Sequence, residues 1–191
     1  IADEIAYNNH DVDDGLRSGL ITLEQLKPVF LFAGQYDEVM RRYPDIPPRR
    51  AIYETIRRMI GQVVTDLIDN SRRRITRAGI RSIDDVRRQP EPLIAYTPEE
   101  AGKSRELKRF LRQNLYAHER VTHMMGEAVQ IVRQLFEAFM QDSTLLPPQY
   151  QDKLRQPNGP GEQARIVADY IAGMTDRYAM REHARLFGRA G

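Results

Sequence analysis

The sequence contains no cysteine. That excludes a disulfide scaffold and any thiolate metal site, and it fits a reducing cytoplasm. Long apolar runs are also missing. Val29-Phe30-Leu31-Phe32-Ala33 is among the densest short patches, far below the roughly 18 apolar residues of a membrane-spanning helix, so no membrane partner is expected. No basic start leads into an apolar stretch, so no secretory signal is read. Charge of one sign is lacking too. The 29 basic and 27 acidic residues leave a formal net charge of +2, and composition alone does not announce a nucleic-acid binder. There is no alternating strand pattern, internal repeat or low-complexity tract.

What is present is helical. The chain has 191 residues, 41% of them hydrophobic, enough for a real core. Ala2 to about Leu20 reads as a polar-rich helix with Ile5, Val12 and Leu16 as its apolar stripe. Thr22 and Gln25 have capping-box spacing. Pro44, Pro47 and Pro48 mark a loop. From Arg49 to about Ala78, Ile52, Ile56, Met59, Ile60, Val63, Val64, Leu67 and Ile68 recur at helical intervals, and Gly79 suits the C-terminal cap. Ser82 is expected to cap a short helix. Thr97-Pro98-Glu99-Glu100 is a helix start, with the pattern running towards Gln141 through a joint near Asn114. Pro147-Pro148 opens another segment, Gln156 to Gly161 reads as a linker, and Gln163 to Phe187 as one or two helices with Thr175 a cap. The expected fold is all-α, an irregular helical bundle, with the long helix packed on the one ending near Gln141. The chain begins with Ile1 in what reads as mid-helix, so residues 1–191 are expected to be a piece of a longer protein.

Asp3, Tyr7 and Asp11 lie four apart and share one helix face. A carboxylate is a hard oxygen donor for Mg or Mn. A tyrosine ring can stack on a sugar, and a second carboxylate can accept from a hydroxyl. From spacing alone, a solvated acidic face is the commoner outcome. Lys108, Arg112 and Tyr116 repeat the same interval, on what is otherwise a surface helix. Arg72-Arg73-Arg74 with Arg77 and Arg81, and Arg87-Arg88 beyond, form a basic cluster that suits phosphates or solvent equally.

Three segments together resemble one family. Asp3-Glu4-Ile5-Ala6-Tyr7, continuing to His10-Asp11 and Asp14-Gly15, is similar to a motif of the bacterial dGTPase-like triphosphohydrolases of the HD-domain superfamily. Lys108-Arg109-Phe110-Leu111 with Asn114-Leu115-Tyr116-Ala117-His118 resembles the family's middle helix. Arg165-Ile166-Val167-Ala168-Asp169-Tyr170 through Ala179 looks like its terminal signature. The order and approximate spacing hold over nearly the whole chain.

The resemblance implies a metal-dependent phosphohydrolase that splits a dNTP, dGTP being the analogy, into deoxynucleoside and inorganic triphosphate. It implies a divalent metal (Mg or Mn) with Asp3 as one ligand, the other ligands, a His and a His-Asp pair, lying upstream. Tyr7 and Asp11 match deoxyribose-contacting positions. Lys108, Arg112 and Tyr116 match substrate-binding positions, and Arg165 is a candidate phosphate contact. His10-Asp11 spells the superfamily's dyad but falls too late in the motif to be it; His10 is read as a surface or supporting residue. Asp169, Tyr170, Asp176 and Arg177 are read as locking helices together, and His118 and His123 as structural. A homo-oligomer is expected, with Leu135, Phe136, Phe139 and Met140 either spare for its interface or part of the core. A single-stranded DNA or nucleotide effector is a further expectation, and a regulatory nucleotide- or DNA-binding helical module the alternative reading. With one ligand of the metal, the isolated chain is expected to be inactive.

Overall fold

The computed structural model describes residues 1–154 and 160–188. Among them are ten α-helices and no strand. The chain divides into two compact units, Ile1–His118 and Glu119–Gly191.

The first unit is built on α1 (Ala2–Ser18), α3 (Phe30–Arg42), α4 (Pro48–Arg77) and α6 (Pro98–Leu111), with the short α2 (Leu23–Leu26) and α5 (Ile83–Arg87) between them. Local chemistry sets each boundary. Gly19, at φ 70°, closes α1 in the left-handed conformation a Cβ disfavours. Thr22 and Gln25 form the reciprocal capping box of α2, and Ser82 and Asp85 that of α5. Pro48 occupies the first turn of α4, where its missing N–H costs nothing. Thr97 accepts from the Glu100 N–H at the start of α6 and is itself fixed by Asp66 of α4, whose carboxylate takes both its N–H and its hydroxyl at 2.8 Å.

α4 packs on α3 and α1, and α6 on both α3 and α1. Their shared core holds Ile5, Val12, Phe32, Met59, Val63, Leu107 and Leu111. The apolar stripe expected on α1 is the buried one: Ile5 and Val12 are in the core and Leu16 packs against it.

The second unit comprises α7 (Glu119–Gln141), α8 (Pro148–Leu154), α9 (Pro160–Ala172) and α10 (Asp176–Phe187). α7 packs on α9 and α10 around Leu135, Phe139, Leu146, Val167 and Tyr170. Thr175 caps α10 as expected. Of the expected linker, residues 156–159 lie outside the described residues, and Pro160 already opens α9.

The long helices α4 and α7 fall in different units, and each closes the core of its own: α4 with α1 and α3, α7 with α9 and α10. Helical periodicity marks which face is apolar, not which apolar face it meets. Leu135 and Phe139 are not spare for an interface, because both are wholly buried in the second core, with Phe136 and Met140 packed against it. The exposed apolar side chains of α7 are instead Met124, Met125, Val129 and Val132.

Gly15 marks the closest approach on α1. A Cβ there would meet two Ile21 side-chain atoms at 2.8 Å and Leu115 at 3.3 Å. Ile21 is 1% exposed and has no room to yield. Overpacking costs about 1–3 kcal/mol, against about 1 kcal/mol of helix propensity gained from Ala. Gly15→Ala is therefore expected to lose on the order of 1 kcal/mol, read as a lower urea midpoint; an unchanged or raised midpoint would show that Ile21 can move.

Candidate functional site

The two faces picked out along α1 and α6 meet. The Tyr116 hydroxyl donates to Asp11 Oδ2 across 105 residues of sequence. The Lys108 ammonium donates to Glu4 Oε1 at 2.9 Å across 104. α6 and the turn that follows it thus lie along α1, with Lys108 and Tyr116 on α1 carboxylates.

A change of helix type carries Tyr116 there. α6 ends at Leu111, and Arg112–Tyr116 form one π-helical turn. The wider turn places the expected joint at Asn114, whose Nδ2 donates to the Phe110 carbonyl at 2.9 Å. It also buries Leu115 beside Gly15, the anchor from which Tyr116 reaches α1. π-turns inside helices often mark functional positions.

Tyr7 is 65% exposed, so its ring is open to a ligand. Asp3 is exposed on the first turn of α1, and His10 is exposed as well. Asp11 is half-buried, and Arg112 is exposed. Behind this face, Asn9 is buried; its Nδ2 donates to the Ile5 carbonyl at 2.7 Å while its Oδ1 has no partner. The partial burial of the Tyr116 phenol, then its bond to Asp11, push it up to about 12. It stays a neutral donor to the Asp11 carboxylate at any ordinary pH.

Arg165 belongs to the other unit. It lies on α9 in the second unit, where its Nε donates to Asp169 at 3.0 Å. Both side chains are mostly exposed, so this is a surface pair of small energetic value. Tyr170 has the helix-locking place expected of it: it is buried against Phe139 and Tyr150, and its hydroxyl lies 3.2 Å from that of Tyr178. Of the lone histidines, His123 faces Glu127 at 3.6 Å on the surface of α7.

Glu4 was missed from the sequence. Its place next to Asp3 was in plain view, but only the fold brings Lys108 to it.

Residues 94–185 match the family described as the phosphohydrolase-associated domain. Nearly the whole chain, 98% of it, is 57% identical to the deoxyguanosinetriphosphate triphosphohydrolase-like protein of Bordetella pertussis, covering 47% of that relative. The like-named protein of Thiobacillus denitrificans is 51% identical over 98% of the chain and 48% of its own length. That of Geobacter metallireducens is 48% identical over 97% of the chain and 47% of its own length. The chain belongs to the deoxyguanosinetriphosphate triphosphohydrolase-like family. It spans about half the length of these relatives, corresponding to their C-terminal part.

Among the described residues no group of three or more His, Asp or Glu side chains converges as a cation site. A hard divalent cation wants six or more oxygen ligands, or fewer with retained water, and a lone exposed carboxylate such as Asp3 competes poorly with water for it.

The Tyr116–Asp11 contact has a pH signature. A phenol whose folded value is raised stabilises the fold fully below the unfolded value of about 10 and loses that contribution as pH rises through about 12. Subtracting the alkaline tyrosinate absorbance of Tyr116→Phe from that of the parent chain is expected to leave one step near pH 12. A step near 10 would show the hydroxyl to be free of Asp11.

Proposed function

We propose that the intact protein is a metal-dependent hydrolase that converts a dNTP into a deoxynucleoside and inorganic triphosphate, and that residues 1–191 form its C-terminal helical portion. The observation that carries this is the convergence of α1 and α6: Tyr116 on Asp11 and Lys108 on Glu4. It gathers, on one face, the groups that such a substrate needs. The relatives' shared name supports the reaction class.

In this reading Tyr7 offers its exposed ring to the deoxyribose. Asp11 accepts from a sugar hydroxyl, and Tyr116 donates to Asp11 and holds it in place. A carboxylate tethered by a phenol is oriented without being neutralised by a cation, so it keeps its negative charge and its other oxygen to accept with. Lys108, 62% exposed and tied to Glu4, can turn to the more highly charged phosphate chain, with Arg112 in the π-turn that follows. Arg165 would reach phosphate only by leaving Asp169. Asp3 contributes one ligand to a Mg or Mn ion, which when bound would polarise the phosphate and activate water; the other ligands belong to the part of the intact protein outside residues 1–191. The isolated chain is then inactive. Homo-oligomerisation of the intact protein belongs to the same proposal, and light scattering that finds only monomer would remove it.

The alternative, a nucleic-acid-binding helical module centred on the basic cluster, is weakened by pairing. Arg74 is bound by Glu91, Arg87 by Asp84 and Arg88 by Asp85, all within 3.3 Å.

In the intact protein, Asp3→Ala is expected to abolish both metal binding and dGTP hydrolysis. Tyr7→Ala is expected to lower kcat/KM for dGTP by on the order of tenfold and to narrow the preference over GTP. Residues 1–191 with dGTP and Mn are expected to release no triphosphate. Turnover by the isolated chain would show that its own residues complete the site and that Asp3 is misassigned. Unchanged kinetics for both sugars would remove Tyr7 from it.

A further inference from the structure

Behind its outer face, α1 borders a small hollow within the first unit. Ile5 of α1, Leu31 of α3, Val63 of α4 and Leu107 of α6 supply its apolar walls. All four are buried core residues. Asn9 is a further wall, and Glu4, Asn8, Tyr96 and Ser104 add polar groups. A polar lining inside an apolar core needs a reason, and nothing in the reading of Asp3, Tyr7 and Asp11 supplies one.

Asn9 carries an unmet hydrogen bond. Its side chain is deep, the residue being 2% exposed. The two atoms of its amide are told apart by what they meet. One lies 2.7 Å from the Ile5 carbonyl, and a carbonyl only accepts, so that atom is the nitrogen. The other is then the oxygen, Oδ1, and it has no partner among the described residues. A buried acceptor without a donor is destabilising, and native structures hold few of them. Whatever occupies the hollow therefore has to donate a hydrogen bond to Asn9.

Size and surroundings narrow the occupant. The free space is about 10 Å³, on the order of one water molecule and no more. An internal water needs about two to four polar partners. Asn9 Oδ1 and the Glu4 carboxylate can accept its two protons. The hydroxyls of Ser104 and Tyr96 can donate to its oxygen. Burial foremost, then the charge of Glu4, push the Tyr96 phenol up, so it keeps the proton it would donate.

We propose that this hollow binds a single water molecule, which donates to Asn9 Oδ1 and joins α1 to Ser104 of α6 or to Tyr96 just before it. The water is a third tie between α1 and the α6 segment, on the inner side of α1, besides Glu4–Lys108 and Asp11–Tyr116. Its four apolar walls come from four helices, so it exchanges with solvent only when those helices part. The site uses neither the assignment of Asp3 nor any hydrolytic activity.

The test is oxygen-17 relaxation dispersion on residues 1–191, which counts water molecules held inside a protein for longer than it tumbles. Asn9→Leu keeps the approximate size of the side chain and removes the acceptor. It is expected to lower the count by about one water per chain. Val63→Ile leaves Asn9 intact and extends the wall by one methylene. It is expected to expel the same water and to lower the urea midpoint, because Oδ1 is then stranded. A dry hollow would instead keep its count in both variants, and that result overturns the proposal. Where Asn9→Leu does not fold, an unchanged count in Val63→Ile overturns it alone. It is also overturned if potassium or ammonium chloride raises the urea midpoint of the parent chain and not that of Asn9→Leu, since the occupant is then a monovalent cation.

Discussion

The first unit depends on how closely α1 can lie against its neighbours. Ile5 and Val12 bury one stripe, and Gly15 removes a side chain where Ile21 and Leu115 press in. Because the inner stripe is fixed, the outer face of the same helix has a fixed direction. Asp3, Tyr7 and Asp11 point where they do because Ile5 and Val12 cannot point elsewhere. A helix held on one side by apolar packing and on another by the Tyr116 and Lys108 bonds cannot rotate about its axis without losing both.

That constraint also explains the π-turn. A continuous α-helix through Arg112–Tyr116 would keep Leu115 and Tyr116 in the register of α6. The wider turn admits Leu115 beside Gly15 and delivers Tyr116 to Asp11. A strained or unusual backbone persists where surrounding contacts outweigh its cost. Here those contacts are one buried leucine and one hydrogen bond to a half-buried carboxylate.

Much of this was legible in the sequence. Caps at Thr22, Ser82, Thr97 and Thr175 are local events, decided within four residues, and they stand where the residue types placed them. The joint at Asn114 was legible for the same reason. Long-range pairing was not. Periodicity gave α4 and α7 an apolar face each but no address, and the two faces close separate cores. Leu135 and Phe139 looked spare for the same reason, because a helical wheel does not show that α9 and α10 return to cover them. On the candidate site, spacing grouped Asp3, Tyr7 and Asp11, and separately Lys108, Arg112 and Tyr116. Only tertiary structure could join the two groups, through Tyr116 on Asp11 and through Lys108 on Glu4, which spacing had passed over.

The same limit separates the two kinds of charge on the molecule. Arginines that pair three or four residues away, such as Arg57 with Glu54 or Arg88 with Asp85, are neutralised by their own helix. Such pairs are readable from sequence and add little to stability. The basic run after Arg72 looked like the strongest phosphate-binding feature, yet Glu91, Asp84 and Asp85 already answer part of it. Arg50 has no carboxylate within ion-pair distance among the described residues, and Glu54, four residues on, is committed to Arg57 and Arg58. What distinguishes a binding cation from a solvated one is therefore not the density of basic residues around it. It is whether the nearest acid is already bound. Lys108 meets a milder form of that condition, since its bond to half-buried Glu4 leaves its own side chain largely exposed. A polyphosphate, with several negative charges, can displace Glu4 from Lys108 at the cost of a single solvent-screened ion pair.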